Sequence, residues 1–451
     1  MQEKKIYSEL LELLKKEIKR QLPEIEENGD WLWAHPETGF KEVETQRYCL
    51  EVLQKHGLKA ETYPDVTGFT CTYDTGRPGP TVAILGEMDS VVCFGHPDCN
   101  PKTGAAHACG HAIQMASVLG AFIALVESGA LKELCGRVRL MGVPAEECLE
   151  TEWRLNEIKA GRLHYLGGKQ EYLYRGVFED VDVIINMHSG ALNDGTIRPM
   201  GRHNGFISKT VTFHGKAAHA AAAPEQGINA LYMANTALTA LNAQRETFRD
   251  EDRVRVHAIM NRGGEINNVI PETTSLEAQC RANNIEAELD AAAKFDRSMG
   301  AGAYAFGGTV TISSQPGYLP YTPTERLDAI AMEVADDILG AGHGVPGQAT
   351  AGSEDMGDVS TLKPFIQVYI NYMHGTHHAA DYGIADRKIY ETSPLFLAML
   401  AVKLLDEDGK LAKEVMASHK PQFSGVKEYC AFLDSLFSEK RKRKAGKVSW
   451  N

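Results

Sequence analysis

The sequence predicts an α/β fold in which a mixed sheet with flanking helices is interrupted by a smaller α+β domain. Four short apolar runs rich in β-branched residues are typical of buried strands. Helical patterns at 109–127 and 325–340 lie between them. Alternation of strands and helices indicates a sheet covered by helices on both faces. The region from about residue 205 to 316 carries alternating strand patterns instead, which predict an antiparallel sheet of its own.

The length of 451 residues and the order of the predicted helices and strands both suggest two domains. An amphipathic helix is predicted over residues 5–28. The predicted buried strands are Thr81–Leu85, Val138–Val143, Val181–Met187 and Phe365–Asn371. The inserted region is predicted to hold strands at 208–215, 257–264, 273–282 and 308–314, with a helix over Ile228–Gln244. The predicted domain organisation is a main domain formed by residues 1–204 and 317–451, with an inserted domain over 205–316.

Composition excludes some classes of function. The net charge of -13 argues against a dedicated nucleic-acid binder, which would usually carry a basic face. The charged, helix-patterned N-terminus leads us to expect no secretory signal, and the lack of an uncharged run of 18 apolar residues leads us to expect no membrane span. Nine cysteines without framework spacing favour reduced thiols and a cytoplasmic location. The basic run Lys440–Lys444 is expected to be a solvated tail, with a nucleic-acid or targeting role as the alternative.

Two motifs carry chemistry that a metal site needs. HACGH at 107–111 offers the thiolate of Cys109 and the imidazole of His111, and PAEE at 144–147 offers two adjacent carboxylates, Glu146 and Glu147. Thiolate, imidazole and carboxylate are ligands of transition metals. A hydrolytic site also needs one carboxylate that stays off the metal and takes a proton from water.

Ligand-type residues follow each of the four predicted buried strands. In sequence order they are Glu87 and Asp89, then Glu146 and Glu147, then His188, then His374, His377 and His378. Sites in open α/β sheets form beyond the carboxyl ends of the strands, so these residues are expected to converge. Only one of His377 and His378 is expected to bind metal, and Asp89 is expected to orient a ligand. The segment His96-Pro97-Asp98 is expected to be structural, because no strand leads into it.

A set of ordered segments between about residues 30 and 400 resembles a known family. The segments are HPETGF at 35–40, GEMD at 86–89, HACGH at 107–111, PAEE at 144–147, HGKAAHAAAAPEQGINAL at 214–231, GGEINNVIP at 263–271, GSED at 352–355 and THH at 376–378. Together they resemble the aminoacylase / carboxypeptidase-G superfamily of binuclear metallo-amidohydrolases. Within it, the resemblance is to the branch of p-aminobenzoyl-glutamate hydrolases and auxin-conjugate amidohydrolases.

The resemblance implies a metallopeptidase-like catalytic domain and a lid domain that mediates dimerisation. It implies that two divalent ions per subunit (Mn, Zn, Co or Ni) are bound by Cys109, His111, Glu147, His188 and His378, with Cys109 as the bridging ligand. Glu146 matches the general base of the family. His219 matches a lid histidine that stabilises the oxyanion in the partner subunit. Asn268, Arg281 and Gly352 match residues near the substrate.

These observations predict a metal-dependent hydrolase of the amide bond in an N-acyl amino acid, an N-aroyl amino acid or a dipeptide. The expected assembly is a homodimer without nucleic-acid or membrane partners. One alternative is a non-catalytic, metal-bound receptor or scaffold on the same fold, and another is a structural zinc protein. Structural zinc sites are typically four-ligand and rich in thiolates, unlike this set. The stretch 151–176 departs from the family, because it is longer and more polar than the usual connection.

Overall fold

A computed structural model describes residues 2–442 and shows two compact units. The first comprises the described residues up to Gly201, together with Thr322–Ala349 and Asp358–Val426. The second comprises Arg202–Tyr321, Thr350–Gly357 and the described residues from Lys427 onward. The second unit extends beyond the predicted range 205–316, partly because Ser438–Lys442 pairs with the strand Thr309–Pro316. The assignment of catalytic and lid roles to these domain ranges stays a prediction.

The described residues form the following helices and strands. The helices are α1 (Gln2–Ala34), α2 (Val43–Lys55), α3 (His111–Glu127), α4 (Thr151–Lys159), α5 (Gly168–Tyr174), α6 (Ala230–Ala243), α7 (Ile285–Ala305), α8 (Glu325–Leu339), α9 (Met356–Ser360), α10 (Ile389–Leu405), α11 (Lys410–Ser418) and α12 (Val426–Leu436). The strands are β1 (Glu61–Thr62), β2 (Phe69–Asp74), β3 (Thr81–Glu87), β4 (Val91–Val92), β5 (Ala105–Ala106), β6 (Arg137–Val143), β7 (Val183–Gly190), β8 (Ile197–Pro199), β9 (Gly205–His214), β10 (Arg255–Arg262), β11 (Thr273–Ala282), β12 (Thr309–Pro316), β13 (Phe365–Asn371), β14 (Met373–His374), β15 (Gly383–Ile384) and β16 (Ser438–Lys442).

The first unit is built on a mixed sheet of seven strands in the order β1-β2-β6-β3-β7-β13-β8. The central strands β6, β3, β7 and β13 are parallel, and the outer pairings are antiparallel. The predicted mixed α/β sheet is confirmed. His188 does not follow its strand as expected: β7 continues to Gly190, because its pairing with β13 runs as far as Asn371. The carboxyl ends of the four parallel strands meet at one edge.

Helix α3 forms the centre of the core on one face of this sheet. It contacts β3, β6 and β7 as well as α1 and α10, and its residues from His111 to Leu125 are buried. The predicted helices are confirmed with shifted ends; α1 covers Gln2–Ala34 instead of 5–28. Burial on nearly all sides explains why α3 is apolar around its whole circumference. None of the helices within residues 2–442 combines the length and apolarity that crossing a bilayer requires.

The second unit is an antiparallel sheet in the order β10-β11-β9-β12-β16, and α6 and α7 pack on it. This confirms the predicted antiparallel insertion. Helix α6 begins where the side chain of Asn229 accepts a hydrogen bond from the N–H of Tyr232, a favourable N-cap. The basic run expected to be a solvated tail begins in the edge strand β16. Its last two residues, Arg443 and Lys444, lie outside the described residues.

Candidate metal centre

Donor side chains converge at the carboxyl edge of the first unit's sheet. They are Cys109 in the loop before α3, His111 at the start of α3, Glu147 in the loop after β6, His188 in β7 and His378 in the loop after β14. Gly110 has a φ of 87°, and a Cβ there would lie 1.9 Å from the Oγ of Ser189. Only glycine therefore allows the loop between Cys109 and His111 to approach β7 this closely.

The donor atoms form two groups that share Cys109. In one group Cys109, His111 and His188 each offer an atom within 4.8 Å of the others, and in the second group Cys109, Glu147 and His378 do the same. The Sγ of Cys109 lies 3.4 Å from the Nε2 of His188 and 3.4 Å from the Nε2 of His378. The His378 Nε2 is 3.0 Å from the Oε1 of Glu147.

The chemistry of these donors fits divalent metal ions. Among the described residues, the Nε2 of His111 and the Oε1 of Glu147 are buried atoms that make no well-formed hydrogen bond, although the Oε2 of Glu87 and the Nε2 of His378 lie 3.3 and 3.0 Å from them, respectively. A buried polar atom left unsatisfied costs about 1–3 kcal/mol, which coordination of a cation would offset. Thiolate, imidazole and carboxylate form the mixed set that zinc and similar metals accept.

Oxygen atoms behind the imidazoles orient their rings. The Nδ1 of His111 lies 3.0 Å from the carbonyl oxygen of Asp89, and the Nδ1 of His188 lies 3.3 Å from that of Ser189. A carbonyl oxygen only accepts, so each Nδ1 carries a proton and each Nε2 is left to bind a cation. The Asp89 carboxylate also accepts the backbone N–H of Glu147 at 2.9 Å. Asp89 therefore contacts two of the donor residues from behind.

The electrostatic environment favours positive charge at His111. Burial by itself lowers the pKa of His111, but the hydrogen bond with Asp89 and the charge of Glu87 raise it to about 10. Burial and the neighbouring histidines hold the pKa of His188 well below its usual value, so that ring is neutral. A metal cation at the Nε2 of His111 would replace the second ring proton, and the same carboxylates would attract that cation.

Glu146 places another carboxylate beside the donors. It is buried, and its Oε2 lies 3.9 Å from the Nε2 of His111. Glu87, His111 and Glu146 form a third group whose donor atoms lie within 4.8 Å of one another. Since Glu147 contacts His378 instead, the two adjacent glutamates contact different histidines.

Sequence patterns did not indicate that Lys169 forms a buried ion pair. Its Nζ lies 2.6 Å from the Oε1 of Glu87, and both side chains are buried. Gln114 donates to the other oxygen of Glu87 at 3.0 Å. Lysine is almost never fully buried without a partner, so a lysine in the polar stretch 151–176 is expected at the surface. The pairing partner in β3 is distant in the chain and could not be inferred.

Neighbouring histidines outside the donor groups have other contacts. The Nε2 of His377 lies 3.0 Å from the carbonyl oxygen of Ser189, to which the hydroxyl of Tyr382 also donates. His378, in contrast, lies beside Cys109 and Glu147. The Nε2 of His96 lies 3.0 Å from the carbonyl oxygen of Tyr382, so this ring is tied to the backbone.

Four further predicted residues lie in the second unit: His219, Asn268, Arg281 and Gly352. His219 is exposed, and the residue after it donates a backbone hydrogen bond to the carbonyl oxygen of Asn268 at 2.9 Å. Arg281 donates to the Oγ of Ser353, the residue next to Gly352, at 3.0 Å. Within this unit, the chain next to His219 thus bonds to Asn268, and Arg281 bonds to the residue next to Gly352.

Comparison with known proteins identifies the second unit and the fold. The family described as a peptidase dimerisation domain matches residues 202–304. A dinuclear metal binding peptidase from the M20 family of Bacillus subtilis shares the fold with a TM-score of 0.67 and 22% identity, over 86% of this chain and 99% of that one. The aminobenzoyl-glutamate utilization protein from Klebsiella pneumoniae does so with a TM-score of 0.64 and 19% identity, over 87% and 99%.

Relatives in sequence point to the same family. The Xaa-Arg dipeptidase of Mus musculus is 28% identical over 393 residues, which is 80% of each chain. One of the p-aminobenzoyl-glutamate hydrolase chains of Escherichia coli is 30% identical over 312 residues, 64% of each chain. The indole-3-acetyl-aspartic acid hydrolase of Enterobacter agglomerans is 29% identical over 314 residues, also 64% of each. The chain thus matches the peptidase dimerisation domain of the M20 type and is similar to these hydrolases over most of its length. The resemblance found in the sequence is confirmed, and the chain is an enzyme of the metallohydrolase type with a peptidase dimerisation domain.

Proposed function

We propose that this protein is an M20 enzyme that hydrolyses the amide bond of an N-acyl amino acid, an N-aroyl amino acid or a dipeptide. The observation that carries the proposal is the pair of donor groups sharing Cys109, with the additional carboxylate of Glu146 beside them. The names of the relatives support this substrate class, since they describe hydrolases of Xaa-Arg dipeptides, p-aminobenzoyl-glutamate and indole-3-acetyl-aspartate.

The donor groups would hold two divalent ions, drawn from Mn, Zn, Co and Ni. Cys109, His111 and His188 would hold one ion, and Cys109, Glu147 and His378 would hold the other. When bound, two such ions polarise a scissile carbonyl and lower the pKa of water. The short distances from Cys109 to His188 and His378 support its shared position.

Glu146 acts as the general base. Its carboxylate takes a proton from the attacking water and delivers that proton to the nitrogen of the leaving amine. Its buried position beside His111 supports this role, because a base shielded from bulk water keeps the proton for the leaving group. A general base contributes about 10²–10⁴-fold to turnover.

The second unit supplies substrate contacts and the dimer. Arg281, Asn268 and the backbone at Gly352 bind the substrate carboxylate, and arginine suits this task because its guanidinium pairs with carboxylates in two hydrogen bonds. The exposed His219 stabilises the oxyanion in the active site of the partner subunit. The match to a dimerisation domain supports a homodimer. The cytoplasmic location stays a prediction, which cell fractionation tests.

The proposal is tested by measuring amine release from a panel of substrates. Dipeptides ending in arginine, p-aminobenzoyl-glutamate and indole-3-acetyl-aspartate are each supplied with Mn, Co, Zn or Ni. Glu146→Gln should keep its metal content and lose at least about 10²-fold in turnover. Glu152→Gln, an exposed glutamate on α4, is the matched control and should be fully active. Equal turnover of Glu146→Gln and wild type would exclude the base role.

A further inference from the structure

Hydrogen bonds fix the backbone of the residue that precedes Glu146 in its turn. Ala145 has a φ of 53°, a left-handed conformation that a residue with a Cβ adopts only when its surroundings enforce it. Its N–H donates to the Oε1 of Glu42 at 2.8 Å, and its carbonyl oxygen accepts from the N–H of Gly168 at 3.0 Å. Both backbone groups that precede Glu146 are therefore bonded.

Hydrogen bonds also fix the backbone of the residue that follows Glu146. The N–H of Glu147 donates to Asp89 at 2.9 Å, and its carbonyl oxygen accepts from the Nη2 of Arg154 at 2.7 Å. The Nη1 of Arg154 donates to the carbonyl oxygen of Leu166 at 2.6 Å. Glu146 thus lies between two residues whose backbone N–H and carbonyl groups are all engaged.

Arg154 is an unusual residue for a purely structural position. Its side chain is completely buried, and both of its hydrogen-bond acceptors are neutral carbonyl oxygens. The ring of Phe40 lies 5.2 Å from the guanidinium carbon, close enough for a cation–π contact. Although the charge of Glu150 interacts with Arg154, burying a cation whose hydrogen bonds go to neutral carbonyl oxygens is costly, which favours a role in the site over a role in stability alone.

The segment at 35–40, which the proposed reaction does not use, packs against the same groups. A Cβ at Gly39 would lie 2.5 Å from the Nη2 of Arg154 and 2.7 Å from the Cα of Ala145. Glycine at position 39 is therefore required for Arg154 and the turn to approach each other. Phe40 and Glu42, which follow directly, contact Arg154 and Ala145 respectively.

We propose that Gly39, Phe40, Glu42 and Arg154 form a clamp that sets the position of the Glu146–Glu147 turn. Arg154 is a positioning residue: it acts through the backbone of Glu147 and touches neither metal nor substrate. The stretch 151–176, longer than the usual family connection, supplies this arginine. The inference rests on the base role proposed for Glu146.

The test compares variants that loosen the clamp with one that removes a similar arginine elsewhere. Arg154→Met removes both carbonyl contacts, and Gly39→Ala pushes Arg154 and Ala145 apart. Arg175→Met is the matched control, because Arg175 lies in the same stretch and donates to the carbonyl oxygen of Pro64 at 2.8 Å. We measure kcat, KM, metal content and thermal stability for each variant, with Glu146→Gln alongside.

Both clamp variants should lower kcat by about 10–100-fold with little change in KM, because a displacement of about 1 Å costs this much in a positioned site. They should also release metal more readily, since Glu147 is a proposed ligand. Arg154→Lys should recover part of kcat by restoring one donor. Arg175→Met should keep wild-type kcat and metal content at a comparable thermal stability.

The outcomes separate the clamp from the proposed reaction. Normal kcat and metal retention in both clamp variants, with Glu146→Gln inactive, would overturn the clamp alone. Full activity of Glu146→Gln would overturn the reaction instead. A purely structural role would be shown if Arg175→Met lost as much kcat as Arg154→Met. If Arg154→Met does not fold, Gly39→Ala and Arg154→Lys decide, and wild-type kcat in both would overturn the clamp.

Discussion

Replacement of Lys169 by methionine tests the buried ion pair beneath the metal centre. The Nζ of Lys169 lies 2.6 Å from the Oε1 of Glu87, with the two side chains 0% and 2% exposed. At an effective dielectric constant of about 20, two unit charges at this distance attract by about 6 kcal/mol. Part of this attraction offsets the cost of burying both groups. Loss of one partner from such a pair should lower the free energy of unfolding by about 3–5 kcal/mol.

The size of the loss should depend on metal. Burial favours the neutral form of Glu87, but the charge of Lys169 and the nearby histidines hold its pKa below the usual range, so the carboxylate is charged. Its Oε2 lies 3.3 Å from the Nε2 of His111. Without Lys169, this uncompensated carboxylate would attract a cation bound at His111. Metal should therefore stabilise Lys169→Met more than it stabilises the wild type.

The assay is urea denaturation of metal-free and Mn-saturated protein. Lys169→Met is compared with the double variant that also carries Glu87→Gln, in which no charge is left unpaired. Lys209→Met is the matched control, because Lys209 pairs with Asp296 at 2.8 Å in the second unit and is also buried. The control should lose stability without any dependence on metal, and the double variant should be more stable than Lys169→Met.

Two results would refute this reasoning. A loss below about 1 kcal/mol in metal-free protein would mean that the pair behaves like an exposed ion pair. An equal loss with and without Mn would mean that the charge of Glu87 does not influence the metal centre.

Three more predictions concern separate parts of the molecule. Burial and the nearby Glu325 raise the pKa of Asp328 to about 7, so the folded chain keeps a proton that the unfolded chain loses near pH 4. The free energy of unfolding should fall as the pH rises from about 4 to about 7. Asp328→Asn should raise it by on the order of 2 kcal/mol at pH 8 but by almost nothing at pH 4. An equal increase at both pH values would contradict the raised pKa of Asp328. Cys109→Ala should lose its metal while keeping the wild-type circular dichroism spectrum, and full metal content by elemental analysis would rule out Cys109 as a ligand. His219→Ala mixed with Glu146→Ala under subunit exchange should recover up to about a quarter of wild-type activity, because about half of the dimers then hold one complete site; no recovery despite demonstrated heterodimers would exclude donation between subunits.

Much of the framework could be predicted from local sequence patterns. The strands β11 and β13 have the predicted bounds, and α3 and α8 differ from theirs by two residues or fewer. A strand buried on both faces needs a continuous apolar run, and an edge or half-covered strand needs alternation, so both are visible in the sequence. The predicted end of β7 at Met187 is wrong. The polar His188 suggested that the strand stops there, but the pairing of β7 with β13 continues to Gly190.

The sequence by itself determined the alternation of elements, the antiparallel insertion and the residue types of a metal site, because each depends on neighbouring residues or on side-chain chemistry. The meeting of Cys109 and His378, 269 positions apart, was expected, but only the tertiary structure gave the 3.4 Å distance between the Sγ and the Nε2. It alone revealed the burial of Lys169 and Arg154 and their partners. A charged side chain is buried only where other segments of the chain supply opposite charges or carbonyl oxygens. A local sequence pattern does not show which segments come into contact.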